Sequence, residues 1–402
     1  MYSIYSLIKL FKKDNSEMLI ANRVLEYPIE HFFGYYDKSP WNNTGRYILT
    51  IQVPLSGRHP LPNEVAIVGY VDTEDSNKFF PIDKTKTWNL QQGCMLQWLG
   101  PNFSDKVIYN DELNGKYVSC IYNITTNKKR ILERPIYSVS KDGKWALSLN
   151  FSRLHRLRPG YGYSNLVDNT EGILYPENDG IWLLDIEKNI SRLIISVADI
   201  VKIGWNNTMD SVEHKFNHLE ISPDGKRFMF LHRWKKNNIR YSRLFTANLD
   251  GTEIYCVADD QMVSHSCWKN NNQILSWARK EGFGDNYYLF TDKSEKFEII
   301  GKGILNEDGH PSYSPDGRYI LTDTYPDKTR MRSLIIYDTY TNKKYVLGKY
   351  FAPFKYDEEV RCDLHPRWNR NGSKICFDSV HDGKRGQYII NNPLFISKER
   401  LE

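Results

Sequence analysis

The feature that most limits how this chain can fold is a short phrase repeated along its length. His218-Leu219-Glu220-Ile221-Ser222-Pro223-Asp224-Gly225-Lys226-Arg227 leads into the apolar run Phe228 to Leu231 and then His232. Two strand-like runs joined by Pro-Asp-Gly make an antiparallel hairpin, because Pro presets φ while Asp and Gly accept the remaining turn conformations. His310-Pro311-Ser312-Tyr313-Ser314-Pro315-Asp316-Gly317 copies the phrase, and His365-Pro366-Arg367-Trp368-Asn369-Arg370-Asn371-Gly372 copies it with Asn for Asp. In each the His stands seven residues before the Gly, and His265 keeps that register with Asn272 in the Gly position.

Weaker copies centre on Gly45, where Lys38 takes the place of the His, and on Gly143. Between them, Met95 to Asn123 reads as a further strand unit. The spacing of the copies suits four-stranded units plus loops. The expected architecture is therefore all-β: a seven-bladed β-propeller of four-stranded antiparallel blades. The last unit, which ends at Gln387-Tyr388-Ile389-Ile390, is one strand short. Met18 to Leu25 is placed to complete it, so an N-terminal strand is expected to close the ring and remove free sheet edges. Residues 18–402 read as one propeller domain. Residues 1–17 are expected to be an amphipathic helix or tail, which as a helix would carry Ile4, Leu7, Ile8 and Phe11 on one face, followed by Lys12 and Lys13. That face could touch an anionic membrane surface, giving a peripheral contact.

Composition excludes several classes. No continuous apolar run reaches transmembrane length. The N-terminal charges follow the apolar run and no small-residue cleavage site appears, against a cleaved secretory signal. Six scattered cysteines without a C-x-x-C pair read as reduced core residues, which suits a cytoplasmic location. The net charge of +5 is compatible with an acidic ligand, but the basic residues form no nucleic-acid stripe. Phosphate-cradling loops, a G-x-S-x-G elbow and a zinc-type Cys/His motif are absent from the sequence.

In a propeller the innermost strand of each blade lines the central channel. Equivalent positions of consecutive blades then face one another, so His218, His265, His310 and His365 should form an arc at one mouth. Imidazole titrates near neutrality and binds transition metals, which makes the arc a site candidate. The second strands return to the same mouth with His232, Arg233, Arg279, Asp323 and Asp378, while Arg153 follows in the third unit. Arginines there could clamp a carboxylate. Tyr163, Trp234 and other rim aromatics suit stacking on a sugar.

The Ser-Pro-Asp-Gly hairpins resemble the TolB-like propeller superfamily over most of the chain. Histidines heading successive inner strands look like the oligogalacturonate lyases, seven-bladed enzymes that cleave acidic oligosaccharides by β-elimination with a manganese ion held by His and Gln. That resemblance implies His310 and His365, with His265, as ligands of a divalent metal, manganese or zinc. It implies His218 or His265 as the base. The family's His-Pro-His appears here as His365-Pro366-Arg367, and Cys362 stands where the Gln would be. The stretches His31 to Pro40 and Gln91 to Trp98 also look like bacterial propeller proteins associated with surface-polysaccharide synthesis.

β-Elimination from a uronic acid needs a cation to neutralise the carboxylate, a base for the α-proton and an acid for the leaving oxygen. The expected catalytic set is His218, His265, His232, Arg233 and Arg279. Arg153, Tyr163, Trp234, Arg367 and Lys38 are expected to bind substrate. The resulting expectation is a lyase acting on an acidic oligo- or polysaccharide. A glycosyltransferase or other enzyme of surface-polysaccharide assembly, and a non-catalytic protein-binding propeller, are the alternatives.

Overall fold

The repeated Ser-Pro-Asp-Gly phrase builds the same turn each time. In the copy at residues 222–227, Ser222 Oγ donates to Asp224 Oδ1 at 2.8 Å, and the Ser222 and Arg227 main chains pair at 2.8 Å. Gly225 closes it at φ +73°, a region an L side chain enters only with strain. Gly143 and Gly317 do the same at +72° and +73°.

The computed structural model describes residues 19–54 and 57–395. It is a seven-bladed β-propeller whose blades are four-stranded antiparallel sheets. Blade 1 runs through His31–Phe32, Tyr47–Gln52, Ala66–Asp72 and Lys78–Thr85. Blade 2 follows with Gln97–Trp98, Lys106–Leu113, Lys116–Asn123 and Lys128–Leu132. Blade 3 contains Ser138–Val139, Trp145–Ser148, Gly180–Asp185 and Ile190–Ser196. Blade 4 consists of His214–Ile221, Arg227–Lys236, Ile239–Asn248 and Tyr255–Ala258. Val263–Trp268, Gln273–Lys280, Gly284–Thr291 and Phe297–Ile300 make blade 5. Blade 6 comprises Ser312–Tyr313, Tyr319–Asp323, Met331–Asp338 and Lys343–Phe351. Blade 7 takes Arg367–Trp368, Lys374–Ser379 and Gly386–Asn391 from the end of the chain, and its fourth strand is Asn22–Arg23, with Asn22 opposite Ile389. The amphipathic segment at 1–17 lies outside the described residues.

The apolar core sits between blades. Leu49, Ile51 and Val68 of blade 1 meet Val107 and Tyr109 of blade 2, and Leu231 and Leu244 of blade 4 meet Ile274 and Tyr288 of blade 5. Burial is thus spread around the ring, which leaves the axis free to be polar. All six cysteines are free and five are buried, as core residues would be. Among the described residues no helix is long and apolar enough to cross a membrane.

In the third unit the long excursion after the second strand is partly helical. After Ser148 the chain forms the helix Phe151–Leu157, capped by the Asn150 side chain accepting from the Arg153 N–H at 2.9 Å. A second helix, Val197–Lys202, is fixed by a capping box between Ser196 and Asp199.

Candidate active site in the propeller throat

Three of the four histidines owe their aim to irregular backbone. The pairing of the first two strands of blade 4 slips between Asn217 and Glu220, and the corresponding pairing in blade 5 slips between Val263 and Ser266. Such bulges turn a side chain out of the regular alternation. His218 sits in the blade 4 bulge at φ +53°, held by its N–H donating to Tyr137 Oη at 3.0 Å. His365 is also left-handed, at φ +42°, and its N–H donates to Asp323 Oδ2 at 3.2 Å.

The four rings converge. His218 and His265 are 5.6 Å apart by ring centroid, His265 and His310 are 4.1 Å apart, and His310 and His365 are 4.3 Å apart. Tyr35 bridges the ends of the arc, 4.9 Å from His365 and 5.2 Å from His218, with its hydroxyl 2.8 Å from His218 Nε2. All four histidines are buried, so the arc lies down in the throat and not on the rim. The inner strands of blades 4 and 5 begin earlier than the sequence suggested, at His214 and Val263, which sinks His218 and His265 into mid-strand.

Tyr35 and Tyr36 enter the throat on a loop that the sequence resemblance had marked without explaining. Gly34, at φ +127°, passes so close to Gln92 that a Cβ would come 2.7 Å from its carbonyl carbon, and a Cβ on Gly93 would come 2.9 Å from the Phe33 oxygen. The stretches at 31–40 and 91–98 therefore interlock through two glycines.

Carboxylates fix the imidazoles. His310 Nδ1 donates to Asp323 Oδ1 at 2.8 Å, and His265 Nδ1 donates to Asp308 Oδ1 at 3.0 Å. Each bond sets a tautomer with the lone pair on Nε2. His310 Nε2 and His365 Nε2 are buried without a hydrogen-bond partner, and beside them Asp363 Oδ1 is buried in an ion pair with Arg332 Nη1 at 2.7 Å. The ligand atoms of these three residues lie within 4.8 Å of one another. Two imidazole nitrogens, one carboxylate and a carboxylate behind the His form a donor set that fits a divalent transition metal. Asp363 also pairs with Arg361 at 2.7 Å and Arg332 at 2.7 Å. Burial alone would raise its carboxyl, but these cations hold it well below the usual range. Burial, reinforced by neighbouring cations and imidazoles, pushes His218 and His365 well below the ordinary imidazole value, and His265 is lowered too, against the pull of Asp308. Burial raises the Tyr35 and Tyr36 phenols. At neutral pH these three imidazoles are bases or ligands, and both phenols are proton donors.

Above the arc lies a cationic collar. Burial and then Arg233 bring the Lys215 ammonium down to about 7, with Arg158 and Arg240 adding to the effect. Glu359 is the acidic partner at this level, 2.7 Å from Arg158, 3.8 Å from Arg240 and 3.7 Å from Arg361. Glu359 and the deeper Asp363, which also pairs with Arg361, are outnumbered by Lys215, Arg158, Arg233, Arg240 and Arg361, so the entrance favours an anion.

The expected residues divide. His218, His265, His310 and His365 come together, and Arg233 stands beside them with its Nη2 donating to the Ser264 carbonyl at 3.0 Å. His232 does not join them. It is paired across the sheet with Phe216, whereas Arg233 is paired with Lys215, and successive residues of a strand face opposite ways. Its ring stacks on His214 at 4.8 Å inside blade 4. Trp234 shares that face and stacks on Tyr241 at 5.4 Å, away from the throat.

Arg279 points to the periphery, where it pairs with Asp285 at 2.8 Å. Arg153 is a buried strut, donating to the carbonyls of His214, Thr170, Ile173 and Leu174. Tyr163 packs on Phe151 at 4.5 Å, and its hydroxyl accepts from Asn110. Arg367 is buried against Asp378 at 2.5 Å and donates to the Tyr35 carbonyl at 3.0 Å, so it braces the tyrosine loop. Lys38 pairs with Asp37 at 2.5 Å near Glu220, whose carboxyl burial and then Asp37 push up to about 8. Asp363, Asp308, Lys215, Arg158, Arg240 and Arg361 were not picked out by the repeat, since they lie outside its register.

No family model matches the chain, and no curated protein does. Solved structures do. Oligogalacturonate lyase from Vibrio parahaemolyticus superposes with a TM-score of 0.67 at 13% identity, over 95% of this chain and 96% of that one. An oligogalacturonate lyase in complex with manganese gives 0.69 at 13% identity, over 94% and 95%. TolB from Acinetobacter baumannii gives 0.43 at 13% identity, over 87% and 81%. The chain has the propeller fold of the oligogalacturonate lyases.

Proposed function

We propose that the protein is a lyase that cleaves a uronic-acid-containing glycan by β-elimination in the propeller throat. The observation that carries this reading is the convergence of two buried, unpartnered imidazole nitrogens, His310 Nε2 and His365 Nε2, with the Asp363 carboxylate, beside two further histidines and beneath a cationic collar. His310, Asp363 and His365 would hold a divalent cation, which supplies neutralisation of the uronate carboxylate and so makes the proton α to it more acidic. The fold shared with a lyase that binds manganese is consistent with that assignment.

The chain's own groups account for the remaining requirements. Arg158, Lys215, Arg233, Arg240 and Arg361 draw in a polyanion and orient its carboxylates. His265 takes the α-proton at Nε2, while Asp308, on the opposite nitrogen, steadies the imidazolium that results. The electron pair of the broken C–H bond forms the new C=C bond, and the β C–O bond breaks. The leaving oxygen takes its proton from the Tyr35 hydroxyl, and the phenolate is restored by the proton held on His265, relayed through the neutral His218 imidazole that contacts Tyr35 Oη at 2.8 Å.

A screen of acidic glycans for an unsaturated, ultraviolet-absorbing product tests the proposal. His265→Ala and His218→Ala should each lower turnover at least about a hundredfold, the usual worth of general acid–base catalysis. Full activity in both variants would overturn the assignment.

A further inference from the structure

The two faces of the second strand of blade 4 lead to different places. Lys215, Arg233 and Arg240 belong to the throat. On the opposite face, Trp234 and Tyr241 floor an open cleft of about 550 Å³, completed by Trp205, Asn206, Asn207, Thr208, Asp259 and Gln261. Trp205 is 52% exposed, a large aromatic surface left to solvent.

The cleft is firmly built. Trp234 Nε1 donates to Thr208 Oγ1 at 3.2 Å, and the Thr208 hydroxyl donates to Asn206 Oδ1 at 2.5 Å. Lys236 Nζ donates to the carbonyls of Asn207 at 2.6 Å and Asp210 at 3.0 Å. Behind this loop runs a buried chain of donors. Arg243 donates to His232 Nδ1 at 3.1 Å, which leaves the His232 Nε2–H to donate to His214 Nδ1 at 2.8 Å. The His214 Nε2–H then donates to the Met209 carbonyl at 3.0 Å. Arg243 also donates to the Ile203 carbonyl at 2.6 Å, so the loop bearing Trp205 is pinned on both flanks. His232 thus supports this cleft and not the throat.

Flat aromatic surface beside amide and carboxylate groups suits the C–H face and the hydroxyls of a sugar ring. Asp259 is the one charged group among the lining residues and would repel a uronate, while the nearest described cations are already engaged, Lys236 by the Asn207 and Asp210 carbonyls and Arg279 by Gln261 and Asp285. We propose that this cleft is a subsite for an uncharged sugar residue of the same glycan whose uronic acid enters the throat. The substrate is then a mixed polymer of acidic and neutral sugars. This inference rests on the reading of the protein as glycan-active, but it can fail or survive separately.

The test uses the full chain and linear hexasaccharides of glucose, mannose, galactose or N-acetylglucosamine, with an oligogalacturonate as the acidic control. Saturation-transfer NMR and calorimetry should detect binding of at least one neutral probe. Trp205→Ala should weaken that binding about tenfold or more, Trp205→Phe should retain most of it, and His310→Ala should leave it unchanged. Asp259→Asn should let the acidic control bind in the cleft more tightly than it binds wild type. Failure of all four neutral probes to bind wild type, or equal affinity in Trp205→Ala, would overturn the subsite. An absence of elimination activity with neutral binding intact would instead count against the throat.

Discussion

Acidification should loosen the junction between the ends of the chain through one residue, His31. Its Nε2 accepts from the Leu25 N–H at 3.2 Å and the Gln387 N–H at 3.3 Å, so its proton sits on Nδ1, donated to the Ile29 carbonyl at 3.0 Å. A second proton would set an N–H against two N–H groups in a buried site. Burial, the larger cause, and the nearby Arg23 charge bring the imidazole down from 6.5 to about 4. The folded pKa lies below the unfolded one, so the unfolded chain binds more protons between pH 6.5 and 4, and stability falls as the pH drops through that window. At pH 5.0 the loss from this residue is about 2 kcal/mol. Urea unfolding of wild type and His31→Gln at pH 7.0 and pH 5.0 isolates the effect, because the other titrating groups cancel in the difference. Wild type should lose about 2 kcal/mol more than the variant over that interval. Identical losses would refute the argument.

Other outcomes follow from the same contacts. Addition of manganese or zinc at about a hundred times the dissociation constant should stabilise wild type by about 2.7 kcal/mol, read as a rise in melting temperature, and His310→Ala or His365→Ala should abolish the rise. Arg158→Glu with Arg240→Glu should raise KM for a polyanionic glycan and flatten its dependence on salt, read from kinetics over a range of ionic strength. Arg367→Met strands the buried Asp378 carboxylate and unbraces the Tyr35 carbonyl. It should cost about 3–5 kcal/mol in urea unfolding.

The fold was legible because a propeller repeats its turn chemistry, and the four histidines were legible because they share one place in that repeat. What escaped notice has physical reasons. The collar residues Arg158, Arg240 and Arg361 come from different loops and blades and meet only at the mouth, so sequence distance hides them. Asp363 lies two residues before His365 in a non-repeating loop, and nothing in the hairpin pattern marks it. His232 and Arg233 were assigned to one site although they adjoin in a strand, where alternation must separate them. Arg367 and Arg153 carry charge suited to a substrate, yet each is consumed by internal oxygens. Buried arginines in such a ring brace loops as readily as they bind ligands. Trp234 was singled out as a sugar-stacking residue, but only the loop around Trp205 reveals the cleft it belongs to.

The central claim is that the throat breaks a glycosidic link by elimination. The direct measurement is the mass of the products formed from an acidic glycan in heavy-oxygen water. Elimination predicts a new non-reducing end that is unsaturated, lighter by one water than a hydrolysis product, and free of the heavy isotope at the cleaved bond. Incorporation of heavy oxygen with no unsaturated end would contradict the account.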